Sequence, residues 1–445
     1  MIKKLNLELL IIIAIIIPSI TQVGTASSKE IDTNYGIVID GDNQLVQNAL
    51  TGNGTVENPL IIGKIQGIRS IYSCSSDGVF IRNTQMYLII QNVEFTSCAG
   101  HGYYFPDQTH FSSGLGLENV THVLIRNNIF KYNGYKSILE IRNSKDISLI
   151  NNSLDLKNEI RLKNDNNLTV IHNYISDSFD IIQSTKIIVE DNYQSTMNSG
   201  NTNIHDFTLI RIEQSNNVVI RKNDKITHMK LDFMQSQNCT AVNNTLIGGI
   251  GLTDSNYNIV QSNTISQTKY YLMTGIAIGQ SNNNIIKYNT IKTIAIILKN
   301  YAEEVGILIV QSKDNFVSNN QLTCQIQIQN INSDTSIGIS QSQSVNNYIK
   351  ENEISNYGTG IYLVHTNNSI LENNHLENNK IGINLLLSNY NTIKNNSFSK
   401  NSENYKEKSG KGNKADIGNT IPGETFIMTI IPLILVIYKR KKRSK

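Results

Sequence analysis

Tryptophan is absent from the 445 residues, and there are only 5 prolines, 4 cysteines and 7 methionines. The eight histidines form no H-x-x-x-H pair and no cluster with cysteine, which leaves a metal site without support. No Gly-rich phosphate loop and no nucleophile elbow occurs, so nucleotide binding and elbow-type serine chemistry have no motif to rest on. The hydrophobic share, 39%, is low for a globular chain. Low hydrophobicity alone would suit disorder, but disordered segments also lack β-branched residues. Here isoleucine returns in every polar run, so something is being buried.

Charge is uneven along the chain. The formal net charge is +3. Residues 439–445 carry six positive charges and 1–26 about one net positive charge, which leaves the body near −4. Nucleic-acid binding therefore loses its electrostatic basis. Lys3 and Lys4 precede an apolar run, and Gly24-Thr25-Ala26 offers a small-residue cleavage site, so 1–26 is expected to be a signal peptide. Residues 421–438 are mostly apolar and 439–445 are basic, the pattern of a transmembrane or sorting segment with a cytoplasmic tail. The polar stretch 401–420 reads as a linker. Export implies an oxidising compartment. Cys74 and Cys98 lie one repeat length apart and are expected to form a disulfide, whereas Cys239 and Cys324 are expected to be buried free thiols.

What the chain has in excess is asparagine, about one residue in seven. The phrase S-N-N-N-I-I-K-Y-N-T-I at 281–291 is rewritten many times. Aligned on one asparagine, twelve copies run from Asn128 to Asn396 at spacings of about 19 to 32. An apolar residue stands three positions before most of these asparagines, as at Val260, Ile286 and Val317, and another two positions after, as at Ile265, Ile291 and Leu322. The copy at Asn223 is out of step, with Ile226 one residue late. Earlier in each unit a pair such as Ile276/Ile278 or Ile361/Leu363 alternates with period two, the mark of a strand with one buried face. Many of these strands begin with glycine, including Gly275, Gly306, Gly338, Gly360 and Gly382, which suits tight corners. No unit has helical length or periodicity. A leucine-rich horseshoe shares the Asn-between-apolar phrase, but it would need regular unit lengths and leucine-rich segments. The fold class read here is all-β, a single right-handed parallel β-helix of about 12 coils: a cap and first coil at 27–60, then the helix proper at 61–400. The asparagine is expected at each corner, in the left-handed backbone and with its amide in a stacked ladder.

The consensus G-I-x-[IL]-x-x-S-x-x-N-x-I-x-x-N-x-I resembles the NosD-like β-helix repeat, a domain found in carbohydrate-binding proteins and sugar hydrolases, over roughly 50–400. T-G-N-G-T-V-E-N-P-L-I-I at 51–62 resembles the first coil of such domains. The resemblance specifies fold strongly and function weakly. It implies a parallel-sheet face on which β-helix lyases and hydrolases act on polysaccharides.

One outward column fits that expectation. Twelve residues before the aligned asparagine stand Glu140, Arg161, Asp180, Arg211 and Asp232 in five consecutive units, alternating in sign. These are the catalytic candidates; Arg142, Lys163 and Glu213, two residues on, are candidates for substrate binding. The plain reading is an exposed salt ladder whose pairs each contribute little. On the chemical reading, carboxylates two coils apart approximate the separation in an inverting glycosidase, or an arginine among carboxylates serves a lyase. Long insertions at 195–208, 266–274, 294–305 and 324–336 leave from one corner and are expected to form a ridge beside the strip. The sequence thus points to a membrane-anchored cell-surface protein that binds an extracellular glycan or serves in adhesion, without a cofactor. The alternatives are a polysaccharide lyase or glycoside hydrolase, a structural envelope protein, or a copper-related factor of the NosD kind.

Overall fold

In the computed structural model the described residues are 37–417, except 64–70, 74–78, 97–102, 105–109, 112–113, 132–136, 155–158, 176–177, 195–207, 225, 227–228, 267–273, 296–303 and 327–334. The expected signal peptide, the expected anchor and tail, Cys74, Cys98 and most of the expected loop ridge lie outside the described residues. Among the described residues no helix is long and apolar enough to cross a membrane. Two compact units divide the chain, Met1–Ser153 and Leu154–Lys445.

The first unit opens with strand Ile37–Asp40 and a short helix, Asp42–Asn48, which buries Leu45. Three parallel faces follow. Ile37–Asp40, Val79–Thr84, Leu115–Arg126 and Ser137–Arg142 stack on the first. Leu60–Gly63, Leu88–Gln91, the second half of Leu115–Arg126 and Lys145–Ile150 stack on the second. Ile71–Ser73, Glu94–Thr96 and Ile129–Phe130 form the third, where the rings of Phe95 and Phe130 stack at 4.7 Å. A two-stranded antiparallel pair, Tyr103–Tyr104 with His110–Phe111, belongs to no face.

In the second unit the first face runs in register from Glu159–Lys163 to Glu403–Lys408, and the second from Asn166–Ile171 to Lys414–Ala415. Every connection between neighbouring coils is parallel, as a solenoid requires. The third face runs from Thr245–Leu246 to Ser397–Ser399. The apolar residues flagged by the repeat fill the bore: Val260, Ile286, Val317, Ile349, Leu371 and Ile393 have no exposed surface. Burying one such side chain contributes about 1.5–3 kcal/mol. Ile226 reaches the bore despite its late position.

The ladder is present, with one correction. Asn289 shows the pattern. Its Nδ2 donates to the Val260 carbonyl one coil back (2.9 Å) and to Asn320 Oδ1 one coil on (3.0 Å), while its N–H donates to that same oxygen. The same chain of bonds joins Asn192, Asn223, Asn244, Asn263, Asn320, Asn352, Asn374 and Asn396. The left-handed residue, however, is the one before: His172, Asp191, Lys222, Asn243, Ser262, Tyr288, Asn319, Glu351, Asn373 and Asn395 all have φ near +55°. That residue points outward and makes the bend, which leaves the ladder asparagine with ordinary backbone and a buried amide. Two further ladders accompany it. Ser215, Ser236, Ser255, Ser281, Ser312 and Ser344 each accept an N–H from the preceding coil. Asn258, Asn284, Asn315 and Asn347 repeat the asparagine scheme at a second corner.

Three other expectations change. The glycines that begin strands do not adopt positive φ; a Cβ on Gly306 or Gly338 would meet the next glycine's carbonyl oxygen at 2.6 Å, so close approach excludes a side chain there. The aligned asparagine undercounts the coils, because those beginning at Ile37, Val79 and Glu403 carry no ladder asparagine, and Val93 holds its place with an N–H bonded to Asn128 Oδ1. Much of the expected linker 401–420 is a further coil, with Glu403–Lys408 and Lys414–Ala415 paired onto the one before.

Replacing Asn289 with Leu should leave the Val260 carbonyl without its side-chain donor and the Asn263 amide and N–H without their acceptor. At about 1–3 kcal/mol per stranded group, the loss should exceed about 2 kcal/mol in urea titration. Asn283→Ala, at an outward left-handed position (φ 57°), should cost only about 1–2 kcal/mol.

Candidate functional site

The charged column lies on the outward side of the first face. In the first unit Glu140 sits opposite Gly116 on strand Ser137–Arg142. Its carboxylate accepts from Arg142 Nε at 2.6 Å, and Glu140 is only 2% exposed. In the second unit Arg161, Asp180, Arg211 and Asp232 are successive register partners, and the column ends at Gly251. Arg142 thus meets Glu140, but Lys163 and Glu213 do not meet, because Ile182 lies between them in register.

The pairing differs from a salt ladder that climbs from coil to coil. Up the column Arg211 Nε approaches Asp180 Oδ1 at 3.8 Å. The tight pairs run along strands: Arg161 to Glu159 at 2.8 Å and Lys230 to Asp232 at 2.7 Å. A long cationic side chain lies along its own strand, where residues i and i+2 share a face. Nor is the strip simply exposed, since Asp180 is 4% exposed. Stranding a buried charge by removing its partner is expensive, unlike breaking a surface pair.

Glu159 was missed because only the two columns nearest the buried pair were indexed. The signal was present as charged residues two apart: Glu159-Ile160-Arg161, and likewise Glu140-Ile141-Arg142 and Lys230-Leu231-Asp232. Glu159 and Asp180 share a hydrogen bond. Burial, and then that bond, pushes the Glu159 carboxyl up to about 7, against the nearby Arg161. Glu159 and Asp180 thus stand as one neighbouring carboxyl unit next to Arg161. Arg211 makes no hydrogen bond among the described residues and its side chain is 39% exposed, so its fork of donors faces solvent beside that unit.

His122 lies against Asp146, His172 against Asp191 and His375 against Glu377, each a lone pair. Cys239 and Cys324 are free and buried, and burial pushes the Cys239 thiol up to about 12, far from a thiolate. Among the described residues no group of three or more His, Cys, Asp or Glu side chains is placed to hold a metal ion.

Stacked parallel strands on three faces, closed by corner ladders, define a parallel β-helix protein. Residues 154–332 and 295–429, together more than half of the chain, match the family described as periplasmic copper-binding protein (NosD), and the chain belongs to that family. Among the described residues no ligand cluster fits the copper in that description. Solved structures with a similar fold include a DFA-IIIase from Arthrobacter chlorophenolicus A6 (14% identity, TM-score 0.33, 65% of this chain and 66% of that one). Others are the surface adhesin PfbA of Streptococcus pneumoniae (14%, 0.38, 75% and 82%) and a double mutant of the periplasmic alginate epimerase AlgG (11%, 0.37, 81% and 84%). At these identities the likeness is one of fold alone. No curated protein sequence matches the chain.

The Glu159 proton gives a direct test. The folded chain binds more protons than the unfolded one between the ordinary carboxyl value of 4.5 and about 7, so its stability falls as pH rises through that window. Glu159→Gln removes the titration. The melting temperature of the unmodified chain relative to Glu159→Gln should therefore decline from about pH 5 to about pH 8. Curves that stay parallel across this range would contradict the raised Glu159 carboxyl.

Proposed function

We propose that this chain is an exported β-helix protein, held at the cell surface through 421–438, that binds an extracellular glycan along the first face of its second unit without cleaving it. The observation that carries the reading is Arg211, a half-exposed guanidinium that makes no hydrogen bond among the described residues and only a long ion pair to the buried Asp180, on a flat parallel sheet beside the half-buried Glu159. A guanidinium fork matches the carboxylate of an acidic sugar, and the neighbouring Asp232 and Glu213 offer acceptors for hydroxyls. The column is fixed by register at about 4.8 Å per coil, so its donors and acceptors form a rigid array along a linear polymer. The family's periplasmic description supports export, and the basic tail after an apolar run supports the anchor.

The test is retention of the full chain on acidic and neutral polysaccharides, with product release assayed in parallel. Arg211→Ala should weaken binding to the acidic polymer about tenfold or more, with a dependence on salt that Arg211→Lys partly restores. Polymer shortened by the unmodified chain but not by Asp180→Ala would replace this reading with catalysis.

A further inference from the structure

The second face of the second unit carries a feature that glycan binding on the first face does not use. Its outward column is apolar over five successive coils: Ile259, Ile285, Phe316, Tyr348 and Ile370, consecutive register partners. Phe316 and Tyr348 are exposed, at 36% and 45%, with ring centroids 6.3 Å apart. At about 4.8 Å per coil the stripe is about 19 Å long. On one side it is flanked by Tyr257, Asn283, Asp314, Asn346, Asn368 and Tyr390, and on the other by Gln261, Lys287, Ser318, Lys350, Glu372 and Lys394. An apolar strip with polar rims is the pattern of an interaction surface rather than of scattered exposed residues.

The rims say what covers it. Take a twofold axis parallel to the strands, midway between the coils of Phe316 and Tyr348. It lays the face on a second copy of itself with the rods antiparallel, so each column meets the same column reversed. Phe316 then meets the partner's Tyr348, and Ile285 meets the partner's Ile370. Tyr257 meets the partner's Tyr390, and Asn283 meets the partner's Asn368. Lys287 faces the partner's Glu372, twice by symmetry; Glu372 already holds Lys394 of its own chain at 3.1 Å, so it would be shared between two ammonium groups. Lys287 has no carboxylate partner of its own among the described residues; its ammonium lies 5.9 Å from the Tyr288 ring. The match depends on register. An axis through the Phe316 coil would set Lys287 against the partner's Lys350, and one through the Tyr348 coil would set Lys287 against the partner's Lys394. Both are like-charge contacts that oppose association.

We infer that the second face of the second unit is a self-complementary interface, and that two copies of this chain pack face to face and antiparallel about an axis between Phe316 and Tyr348. Side chains from two flat sheets about 10 Å apart then interdigitate, as in any sheet-on-sheet packing. The charged first face stays open in both copies.

The test uses the full chain in mild detergent, with mass from sedimentation after subtraction of bound detergent. The unmodified chain should sediment as a dimer. Lys287→Glu and Glu372→Lys should each raise the dissociation constant about tenfold or more, because each sets like charges together at two symmetric places. The double exchange Lys287→Glu with Glu372→Lys should restore the dimer. Within one chain these residues are three coils apart, about 14 Å, so rescue reports contact between chains and not repair within one. Tyr348→Lys, which places a charge beside the axis, should also give monomers. A monomer at all concentrations, or a dimer indifferent to Lys287→Glu, Glu372→Lys and Tyr348→Lys, would overturn the inference. So would a monomer whose retention on polysaccharide falls in Tyr348→Ala, since the stripe would then hold glycan.

Discussion

Each coil of this protein buries polar groups that it cannot satisfy by itself. The amide of Asn289 has its acceptors at Val260 and Asn320, both on other coils. The hydroxyl of Ser281 accepts from Ser255 and donates to its own strand's Gly279 carbonyl. A buried donor or acceptor without a partner costs about 1–3 kcal/mol, so a coil removed from the stack is penalised at every corner as well as losing apolar burial. Stacking in register is therefore the condition under which this composition, rich in asparagine and poor in apolar residues, folds at all. Among the described residues most inward positions hold an aliphatic or aromatic filler or a ladder residue; Thr293 and Tyr357, which bond to each other, are exceptions.

That commitment of the inward positions leaves outward positions to vary, and the two described surfaces use the freedom differently. On the first face, charges collect over the coils from Glu159 to Asp232 and pair mostly along strands, which buries Asp180 and leaves Arg211 half-exposed with one long ion pair. On the second face, apolar and aromatic residues collect farther along, from Ile259 to Ile370. Both depend on the same parallel register, which repeats a chemical group at fixed intervals and turns sequence columns into rigid arrays. Loops leave the coils without disturbing that register, because closure entropy grows only slowly with loop length.

The repeat itself was legible because both its signals are strict: period-two apolar pairs mark strands, and the recurring asparagine marks a corner. The backbone at that corner was misplaced by one residue. The sequence varies there among His172, Lys222, Tyr288 and Glu351, and nothing in such a mixture advertises a left-handed bend. The glycine column was visible, but its reason was not, since close approach of Gly306 to Gly338 is a tertiary distance. Coils without the ladder residue, such as the one from Glu403, escaped a count based on it. At the charged strip, the order of residues up the column followed from register arithmetic. The bond between Glu159 and Asp180 did not, because it depends on which rotamers long side chains adopt on the face. The apolar stripe passed unremarked, since an outward isoleucine in a strand looks like ordinary β-propensity until its neighbours in other coils are known.

The buried amide ladder is reached most directly by side-chain hydrogen exchange measured by NMR. The Nδ2 protons of Asn263, Asn289 and Asn320 should exchange as slowly as the backbone amides of the core strands, while those of outward Asn283 and Asn319 exchange near the solvent rate. Fast exchange at Asn263, Asn289 and Asn320 would mean that these side chains are open to water, and the stacked architecture described here would be wrong.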